Sequence, residues 1–484
     1  MCNPRVINLL REELSAGSVV TDTHALTPFE TDGLTAIRQK PWVVALPETV
    51  KQVRAVLRIC REHRVPVVTR GAGTGLSGGA RPLADGVLLT LTKMNRILEV
   101  IPQARAARVE PGVPNAKITE AAAPFGLYYA PDPSSQIACS IGGNVAENSG
   151  GVHCLKYGLT LNNVLGMTVQ TLEGDELVLG GKTLDAPGYD LIAAMVGSEG
   201  MLGVVTEVVV KLLPEPFAKR VLLAAFDDLR RAGDAVAAII RGGVIPAGLE
   251  MMDALAINAA EDYANAGYPR DAAAILLCEL DGTEEGVNAD VGIVRGILDE
   301  AGATGVRIAS EEADRENLWR GRKAAFPAAG RMAPDYYCMD GTIPRRELGD
   351  VLTEIATLSE RFGLPVANVF HAGDGNLHPL ILYDSSKPGE LEKAEQFGGE
   401  ILKLCVARGG TVTGEHGVGV EKLDAMCAQF TDTELDQFHR LKAAFDPEGL
   451  MNPGKAIPTL ARCSELGGMH VRGGALPHAG LERF

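Results

Sequence analysis

The sequence lacks a long apolar run, a signal peptide and an excess of basic residues, and each absence excludes a class of protein. There is no run of roughly 18 apolar residues, the length that a membrane-spanning helix needs. The N-terminal region carries Arg11, Glu12 and Glu13 where a secretory signal peptide has its apolar core. Lys and Arg number 46 against 62 Asp and Glu, and the resulting net charge of −16 argues against nucleic acid or an anionic membrane as main partner.

The cysteines follow no pattern typical of a disulfide framework or a cysteine-held cluster. There are nine of them, widely scattered, and no two have the C-x-x-C spacing. We therefore expect reduced thiols in a cytoplasmic protein. The length of 484 residues is too great for one compact core and predicts two or three domains.

Glycine, in contrast, is abundant, and its densest run is at residues 70–79, which hold five glycines. Such a run can adopt positive φ and present successive backbone N–H groups to a phosphate or pyrophosphate. A Rossmann site needs a helix directly after the glycines. Here a loop containing Pro82 and an apolar strand at 87–91 follow, and the amphipathic helix comes before the run. The pattern predicts a phosphate site of another fold.

A second segment rich in glycine and asparagine lies at residues 141–151, shortly after a stretch held extended by Pro131 and Pro133. A single phosphate would not need two such segments. Their presence within one domain therefore suggests a ligand long enough to contact both.

The pattern of the chain changes at Pro214 and Pro216, where we place a domain boundary. Beyond it, strands alternate with amphipathic helices, which predicts a sheet covered by helices. The predicted β-α-β units are 221–226, 229–240 and 247–252; 274–280, 287–298 and 306–309; and 336–343, 345–362 and 366–370. Residues 1–40 form a polar lead-in, and residues 457–484 are glycine-rich and predict a loose tail.

Two histidines and a carboxylate are candidates for a functional site in the second half of the chain. His371 and His378 flank a turn signal, Ala-Gly-Asp-Gly-Asn-Leu, and can face each other across the bend. Glu415 and His416 lie between glycines further on. Two histidines and one glutamate are a plausible ligand set for a divalent metal with open positions for a substrate.

These motifs together resemble one family, the FAD-linked D-2-hydroxyacid oxidases and dehydrogenases of the vanillyl-alcohol-oxidase type, which includes glycolate oxidase flavin subunits. The segments that carry the resemblance are 66–75, 131–135, 141–144, 155–158, 197–200, 371–378, 415–417 and 452–455. The resemblance implies an α+β fold with a two-part PCMH-type FAD-binding domain and a cap domain with a mostly antiparallel sheet covered by helices. It implies an FAD domain at 41–216, a cap at 217–424, and a segment at 425–456 that returns to the FAD domain.

The resemblance also implies the site residues. Non-covalent FAD would be bound by Arg70, Gly71, Ala72, Gly73, Thr74, Gly75, Pro131, Asp132, Ser135, Gly142, Gly143, Asn144, Asn148, Gly200, Val205 and Asn452. His371, His378 and Glu415 match ligands of a divalent metal (Zn, Mn or Fe), His416 matches the proton-accepting base, and Arg322 matches the arginine that binds the substrate carboxylate.

The implied reaction is oxidation of a small 2-hydroxy acid to the 2-oxo acid, with hydride transfer to flavin N5. Family members that act on 2-hydroxyglutarate have a lysine where this chain has Cys338 and an asparagine where it has Leu380. Both replacements remove polar contacts to a second carboxylate, which favours glycolate or D-lactate over a dicarboxylate.

The sequence has no cysteine-cluster motif of its own, and the resemblance therefore implies companion subunits, one with an iron–sulfur cluster, that accept the electrons. Through them the protein could be peripheral to the inner membrane. Three alternatives stay open: a dehydrogenase of the 2-hydroxyglutarate type, a flavin-binding assembly subunit without chemistry, and a metal-dependent hydrolase. The assembly subunit would have no use for the His/Glu group, and the hydrolase would leave the phosphate site unexplained.

Overall fold

The fold is described for residues 3–183 and 188–465 of a computed structural model. The strands are β1 (Val19–Val20), β2 (Val43–Ala45), β3 (Val67–Arg70), β4 (Val87–Thr90), β5 (Ile97–Ile101), β6 (Ala106–Val109), β7 (Leu127–Tyr128), β8 (Val164–Gln170), β9 (Glu176–Gly180), β10 (Val204–Lys211), β11 (Leu213–Pro214), β12 (Ala218–Phe226), β13 (Gly248–Asp253), β14 (Ala274–Gly282), β15 (Gly305–Ala309), β16 (Asp335–Cys338), β17 (Gly341–Thr342), β18 (Val366–Phe370), β19 (Asn376–Leu377) and β20 (Pro379–Tyr383).

The helices are α1 (Pro4–Glu13), α2 (Val50–Glu62), α3 (Asn115–Ala122), α4 (Ile141–Glu147), α5 (Cys154–Tyr157), α6 (Thr160–Asn163), α7 (Leu191–Met195), α8 (Leu229–Arg241), α9 (Ala254–Ala264), α10 (Glu284–Glu300), α11 (Glu312–Ala329), α12 (Leu348–Phe362), α13 (Glu390–Ala407), α14 (Leu423–Gln429), α15 (Asp432–Phe445) and α16 (Leu460–Glu465). Within the described ranges, no helix has the length and apolar character that crossing a membrane requires.

Two sheets form the N-terminal half. In the first, of order β1-β2-β4-β3, strands β2 and β3 run parallel to β4, and β1 is antiparallel to β2. The second is antiparallel, of order β5-β6-β10-β8-β9. Helix α2 packs on the first sheet because its apolar residues recur every three or four positions and so lie on one face, with Val53, Val56 and Cys60 in the core. Thr49 caps α2 by accepting a hydrogen bond from the Gln52 N–H.

A seven-stranded antiparallel sheet of order β15-β12-β14-β13-β18-β20-β16 organises the second half. Both of its faces are covered, which explains why β12 is apolar from Val221 to Phe226. Leu222 and Phe226 point into the core shared with α8, α10, α12 and α13, whereas Val221 and Leu223 point into the core shared with α9 and α11. The predicted α+β class is confirmed.

Several details differ from the sequence-based expectation. Strand 336–343 is broken into β16 and β17, because β17 leaves the large sheet to pair with β19. Residues 141–147 form helix α4 and not only a loop. Helices α9 and α11, which cover the second sheet face, had not been predicted. Both contain glycine, proline or many alanines, which weakens their apolar periodicity.

The chain returns to the first sheet near its end. Met451 bridges to Val67 in β3, and the Asn452 N–H donates to the Val67 carbonyl at 2.7 Å. This contact places the segment after α15 against the strand that enters the glycine-rich loop. The sequence pattern alone had not indicated this return.

The expectation that all cysteines are reduced was wrong. Cys427 in α14 and Cys463 in α16 form a disulfide across 36 residues, because the packing of the two helices brings their Cα atoms to 5.3 Å. Within the predicted loose tail, Leu460–Glu465 form helix α16. Residues 466–484 of that predicted tail lie outside the described residues.

Candidate active site

One cavity, of about 370 Å³, joins the two glycine-rich segments to the histidine group. The predicted site residues that line it are Arg70, Gly71, Ala72, Gly73, Thr74, Gly75, Ser135, Gly142, Gly143, Asn144, Gly200, Val205, Arg322, His371, His378, Glu415 and His416. Residues that are up to 346 positions apart in sequence, from Arg70 to His416, therefore meet at a single crevice between the N-terminal sheets and the large sheet.

The two glycine-rich segments approach each other more closely than side chains would allow. A Cβ added to Gly71 would lie 2.1 Å from Ser140 Oγ, and one added to Gly142 would lie 2.7 Å from the Pro111 Cβ. Gly73 has a φ of +76°, which glycine adopts without strain. At Gly75 the nearest side-chain atom would be 3.8 Å away. The loop is thus a bare backbone cradle at the cavity, and its residues fit the diphosphate of FAD.

Four residues that were predicted to bind FAD are not among the residues that line this cavity, and each of them contacts another part of the described chain. The Pro131 carbonyl accepts from the Asn115 side chain, and the Asp132 carboxylate accepts from His153 at 2.9 Å. Asn148 ends α4 in the left-handed conformation and accepts from the Leu161 N–H. Asn452 donates to the carbonyls of Gly79 and Glu199. These contacts support the loops around the cavity.

Arg70 lines the cavity, but its guanidinium folds back beneath the loop. Nη1 donates to the Thr31 carbonyl at 2.8 Å, and the guanidinium lies where a Cβ on Gly73 would clash with it. The polar lead-in thereby contributes to the site by holding the side chain that supports the glycine-rich loop.

The two histidines and Glu415 converge at the other end of the cavity. His371 Nε2 and His378 Nε2 each lie 3.3 Å from Glu415 Oε1. Their three potential ligand atoms are within 4.8 Å of one another. His378 Nε2 is buried and has no hydrogen-bond partner among residues 3–183 and 188–465, which is the expected state of an atom whose partner is an ion. The donor set of two imidazoles and a carboxylate fits a divalent transition metal.

Asp340 fixes the loop that carries Glu415 and His416, and sequence analysis missed it. Its carboxylate accepts from the backbone N–H groups of Glu415 at 3.1 Å and His416 at 2.9 Å, and from Lys422 Nζ at 2.9 Å. Burial would raise the pKa of Asp340, but Lys422, His416 and His378 together outweigh this effect and hold the pKa well below its usual value. Asp340 and Lys422 form a completely buried ion pair.

His416 stacks on His378 with ring centroids 4.8 Å apart. Burial lowers the pKa of His416 to about 4, so the imidazole is neutral at physiological pH. Its Nδ1 is buried and has no hydrogen-bond partner among the described residues. His416 lines the cavity, and the unprotonated nitrogen of a neutral imidazole can accept a proton.

Arg322 and His371 share one carboxylate, that of Glu250 in β13. Arg322 Nη2 lies 2.6 Å from Glu250 Oε2, and His371 Nδ1 lies 2.8 Å from Glu250 Oε1. All three side chains are almost completely buried. Glu250 was missed by sequence analysis, although an acid between the apolar residues Leu249 and Met251 was an available signal.

A second pair of acids lies beside the glycine-rich loop. Glu147 lines the cavity, and its Oε2 is buried without a hydrogen-bond partner in the described chain. Burial, reinforced by Glu199, raises the pKa of Glu147 well above its usual value. Glu199 accepts from the backbone N–H groups of Val418 and Gly419 and so ties the loop after His416 to the FAD-side residues.

Two family models and several relatives match the chain. Residues 41–180 match the FAD binding domain, and residues 215–456 match the C-terminal domain of FAD linked oxidases. The chain is 61% identical to the glycolate oxidase subunit GlcD of Escherichia coli (strain K12) over 479 residues, covering 99% of this chain and 96% of that protein. It is 31% identical to a D-lactate dehydrogenase of Anaerostipes hadrus, covering 86% and 90% of the two chains.

The solved structure of p-cresol methylhydroxylase with substrate bound has the same fold. Its TM-score is 0.79 at 20% identity, with 95% of this chain and 97% of that chain covered. This likeness confirms the predicted PCMH-type architecture, and the match to the FAD binding domain confirms FAD as the cofactor.

Proposed function

Because the chain belongs to the family of FAD-linked 2-hydroxyacid oxidases and dehydrogenases, we propose that it oxidises glycolate or D-lactate to the corresponding 2-oxo acid. The observation that carries the proposal is the single cavity, in which the glycine cradle and the His/Glu/Arg group meet. The names of the relatives, glycolate oxidase subunit and D-lactate dehydrogenase, support the same substrate class.

Arg322 would bind the substrate carboxylate. Its Nε is buried and lacks a hydrogen-bond partner within the described residues, although it lines the cavity. A buried guanidinium N–H without a partner is costly, and a substrate carboxylate would satisfy it with a charge-assisted hydrogen bond. This contact would orient the hydroxyl-bearing carbon toward the histidines.

His371, His378 and Glu415 would hold a divalent metal, which when bound supplies Lewis-acid polarisation of the substrate hydroxyl. His416 would accept the hydroxyl proton, since its imidazole is neutral and no described residue forms a hydrogen bond with its Nδ1. Bound FAD supplies the acceptor for the hydride from the substrate carbon. The residues of this chain thus bind and orient the acid, hold the metal and remove the proton.

Cys338 and Leu380, which stand in place of the polar residues of 2-hydroxyglutarate enzymes, are both buried and absent from the described cavity lining. They therefore offer no contact to a second carboxylate. This argues against the alternative of a dicarboxylate substrate.

The electrons would leave to companion subunits, one of them with an iron–sulfur cluster. Within the described chain, the residue groups that could hold a metal contain no cysteine. The E. coli relative is named as a subunit. A flavin-binding assembly subunit without chemistry would not need the buried His/Glu/Arg group.

Anaerobic flavin reduction tests the proposal. The FAD-loaded protein is mixed without oxygen with glycolate, D- and L-lactate, D-2-hydroxyglutarate and a phosphate ester, and bleaching of the flavin absorbance is followed. We expect bleaching by glycolate or D-lactate and at most slow bleaching by D-2-hydroxyglutarate. Fastest reduction by the dicarboxylate would reverse the substrate assignment, and no reduction by any hydroxy acid would favour the assembly subunit.

A further inference from the structure

Glu250 lies at the centre of the cap side of the site and contacts two functional groups at once. Its Oε2 lies 2.6 Å from Arg322 Nη2, and its carboxylate oxygens lie 2.8 and 2.9 Å from His371 Nδ1. Glu250 is only 1% exposed. A buried carboxylate is unfavourable unless it is paired and hydrogen-bonded, and here both partners come from the proposed site.

The fold explains how one carboxylate reaches both partners. Strand β13 pairs with β18, which ends at Phe370, directly before His371. Side chains alternate along β13, so that Leu249 and Met251 join the core under α8 and α12, while Met252, on the same side as Glu250, packs on the face covered by α9 and α11. Arg322 lies in α11. Glu250 therefore lies between the helix that carries Arg322 and the strand that leads into His371.

We propose that Glu250 is a positioning residue that couples the metal-binding histidine to the carboxylate-binding arginine; this inference rests on the proposed function. A carboxylate can only accept hydrogen bonds, so His371 must carry its proton on Nδ1. Nε2, which faces Glu415, then presents its lone pair to a metal. The same carboxylate holds one arm of Arg322, and Nε, which has no partner in the described part of the chain, is left for the substrate.

Glu250→Gln distinguishes this role from simple packing, because the side chain keeps its shape. The Gln NH₂ group must face either Arg322, where two donors would oppose each other, or His371 Nδ1, where it would favour the tautomer with a protonated Nε2. Neither orientation preserves both contacts. We expect the variant to bind metal more weakly and to hold Arg322 in a less defined position.

The matched control is Glu261→Gln in the same half of the chain. Glu261 is also buried, but it accepts its hydrogen bond from the backbone N–H of Tyr268 at 2.9 Å, and a Gln carbonyl can accept the same bond. Glu261 is not part of the cavity lining as described. Its replacement should leave metal binding and activity unchanged.

The experiment measures the Zn²⁺ dissociation constant of chelator-treated, FAD-loaded protein, together with FAD occupancy, the unfolding temperature, kcat and KM. We expect Glu250→Gln to weaken Zn²⁺ binding about 10- to 100-fold, as loss of a partner of a metal-bound histidine does, and to raise KM. FAD occupancy should equal that of the wild type. If Glu250→Gln does not fold, Glu250→Asp is measured instead, because its shorter side chain cannot reach both partners.

Zn²⁺ affinity and KM of the folded variant equal to those of the control would overturn the inference. Absence of Zn²⁺ binding to the wild-type protein would overturn it as well. The proposed function is judged separately, by reduction of the wild-type flavin with glycolate or D-lactate. If these acids do not reduce the flavin although metal binding is normal, the proposed function is refuted, but the positioning role of Glu250 is not.

Discussion

At the scale of the single residue, the cradle needs glycine at Gly71 and Gly142, because a side chain at either position would collide with neighbouring atoms. Gly142→Ala should lower FAD occupancy, because the new Cβ would lie 2.7 Å from the Pro111 Cβ and 3.0 Å from the Pro111 carbonyl oxygen. The displaced segment would then intrude on the cavity. The ratio of flavin to protein absorbance after purification measures the effect.

Gly292→Ala is the control for that substitution. Gly292 lies within α10, and a Cβ there has open space around it. Alanine should stabilise the helix by about 0.5–1 kcal/mol and leave FAD bound. Equal FAD content in both variants would refute a steric role for Gly142.

His416 carries the proposed proton transfer. His416→Gln should reduce the rate of anaerobic flavin reduction by about 10²–10⁴-fold, the usual contribution of a general base, while FAD stays bound. Stopped-flow measurement at 450 nm follows the reduction. His439→Gln is the matched control, since His439 Nε2 hydrogen-bonds to the Pro458 carbonyl and the residue is not among those that line the described cavity. An unchanged rate in His416→Gln would remove this residue from the mechanism.

At the scale of elements, His153 joins the two halves of the chain. Its ring lies 2.9 Å from Asp132, which follows β7, and 3.2 Å from Glu279 in β14. Burial alone would lower the pKa of His153, but the two carboxylates outweigh burial and raise the pKa well above its usual value. The folded protein therefore binds the proton more tightly than the unfolded chain does, whose histidine pKa is about 6.5.

This shift has a definite consequence for stability. The contribution of His153 is fully present below about pH 6.5 and is lost as the pH rises through the raised folded-state pKa. His153→Gln should accordingly destabilise the protein most at pH 6 and progressively less at alkaline pH. Thermal unfolding from pH 6 to 10 measures the difference from wild type. A difference that is constant with pH would contradict a charged bridge.

The element scale also shows which features the sequence could predict. Strong periodicity identified α2, α8, α10, α12 and the strands beside them, and the glycine density identified the cradle. Helix α11 had not been predicted because its buried face is made largely of alanine and glycine, which carry little apolar contrast. That helix positions Arg322, so only the family resemblance could indicate its role.

The partners within the site were beyond sequence analysis for a different physical reason. Glu250 contacts Arg322 and His371, which are 72 and 121 positions away in sequence. Asp340 contacts Lys422, 82 positions away, and the backbone N–H groups of Glu415 and His416, 75 and 76 positions away. No local pattern encodes such pairings. A buried charge becomes recognisable as functional only when its partner is known.

At the scale of the whole molecule, the C-terminal segment closes the FAD side of the fold. Asn452 is completely buried, and its Nδ2 donates to the carbonyls of Gly79 at 3.0 Å and Glu199 at 2.6 Å. The side-chain amide of Asn452 thus links the C-terminal segment to the glycine-rich loop and to the segment before β10. The backbone of Asn452 has a φ of +44°.

Asn452→Ala should destabilise the protein by about 1–3 kcal/mol, because the Glu199 carbonyl loses its hydrogen bond from Asn452 whereas the Gly79 carbonyl still accepts one from Lys455 Nζ at 2.9 Å. The substitution should also lower the temperature at which FAD is released. Asn265→Ala separates this effect from backbone strain. Asn265 has a φ of 51° but is exposed at the end of α9, so its replacement tests the left-handed backbone alone. Unfolding and flavin release are followed together by fluorescence. Because both alanines adopt the same unfavourable φ, only Asn452→Ala should release FAD early; equal behaviour of the two variants would show that the C-terminal segment does not stabilise the FAD site.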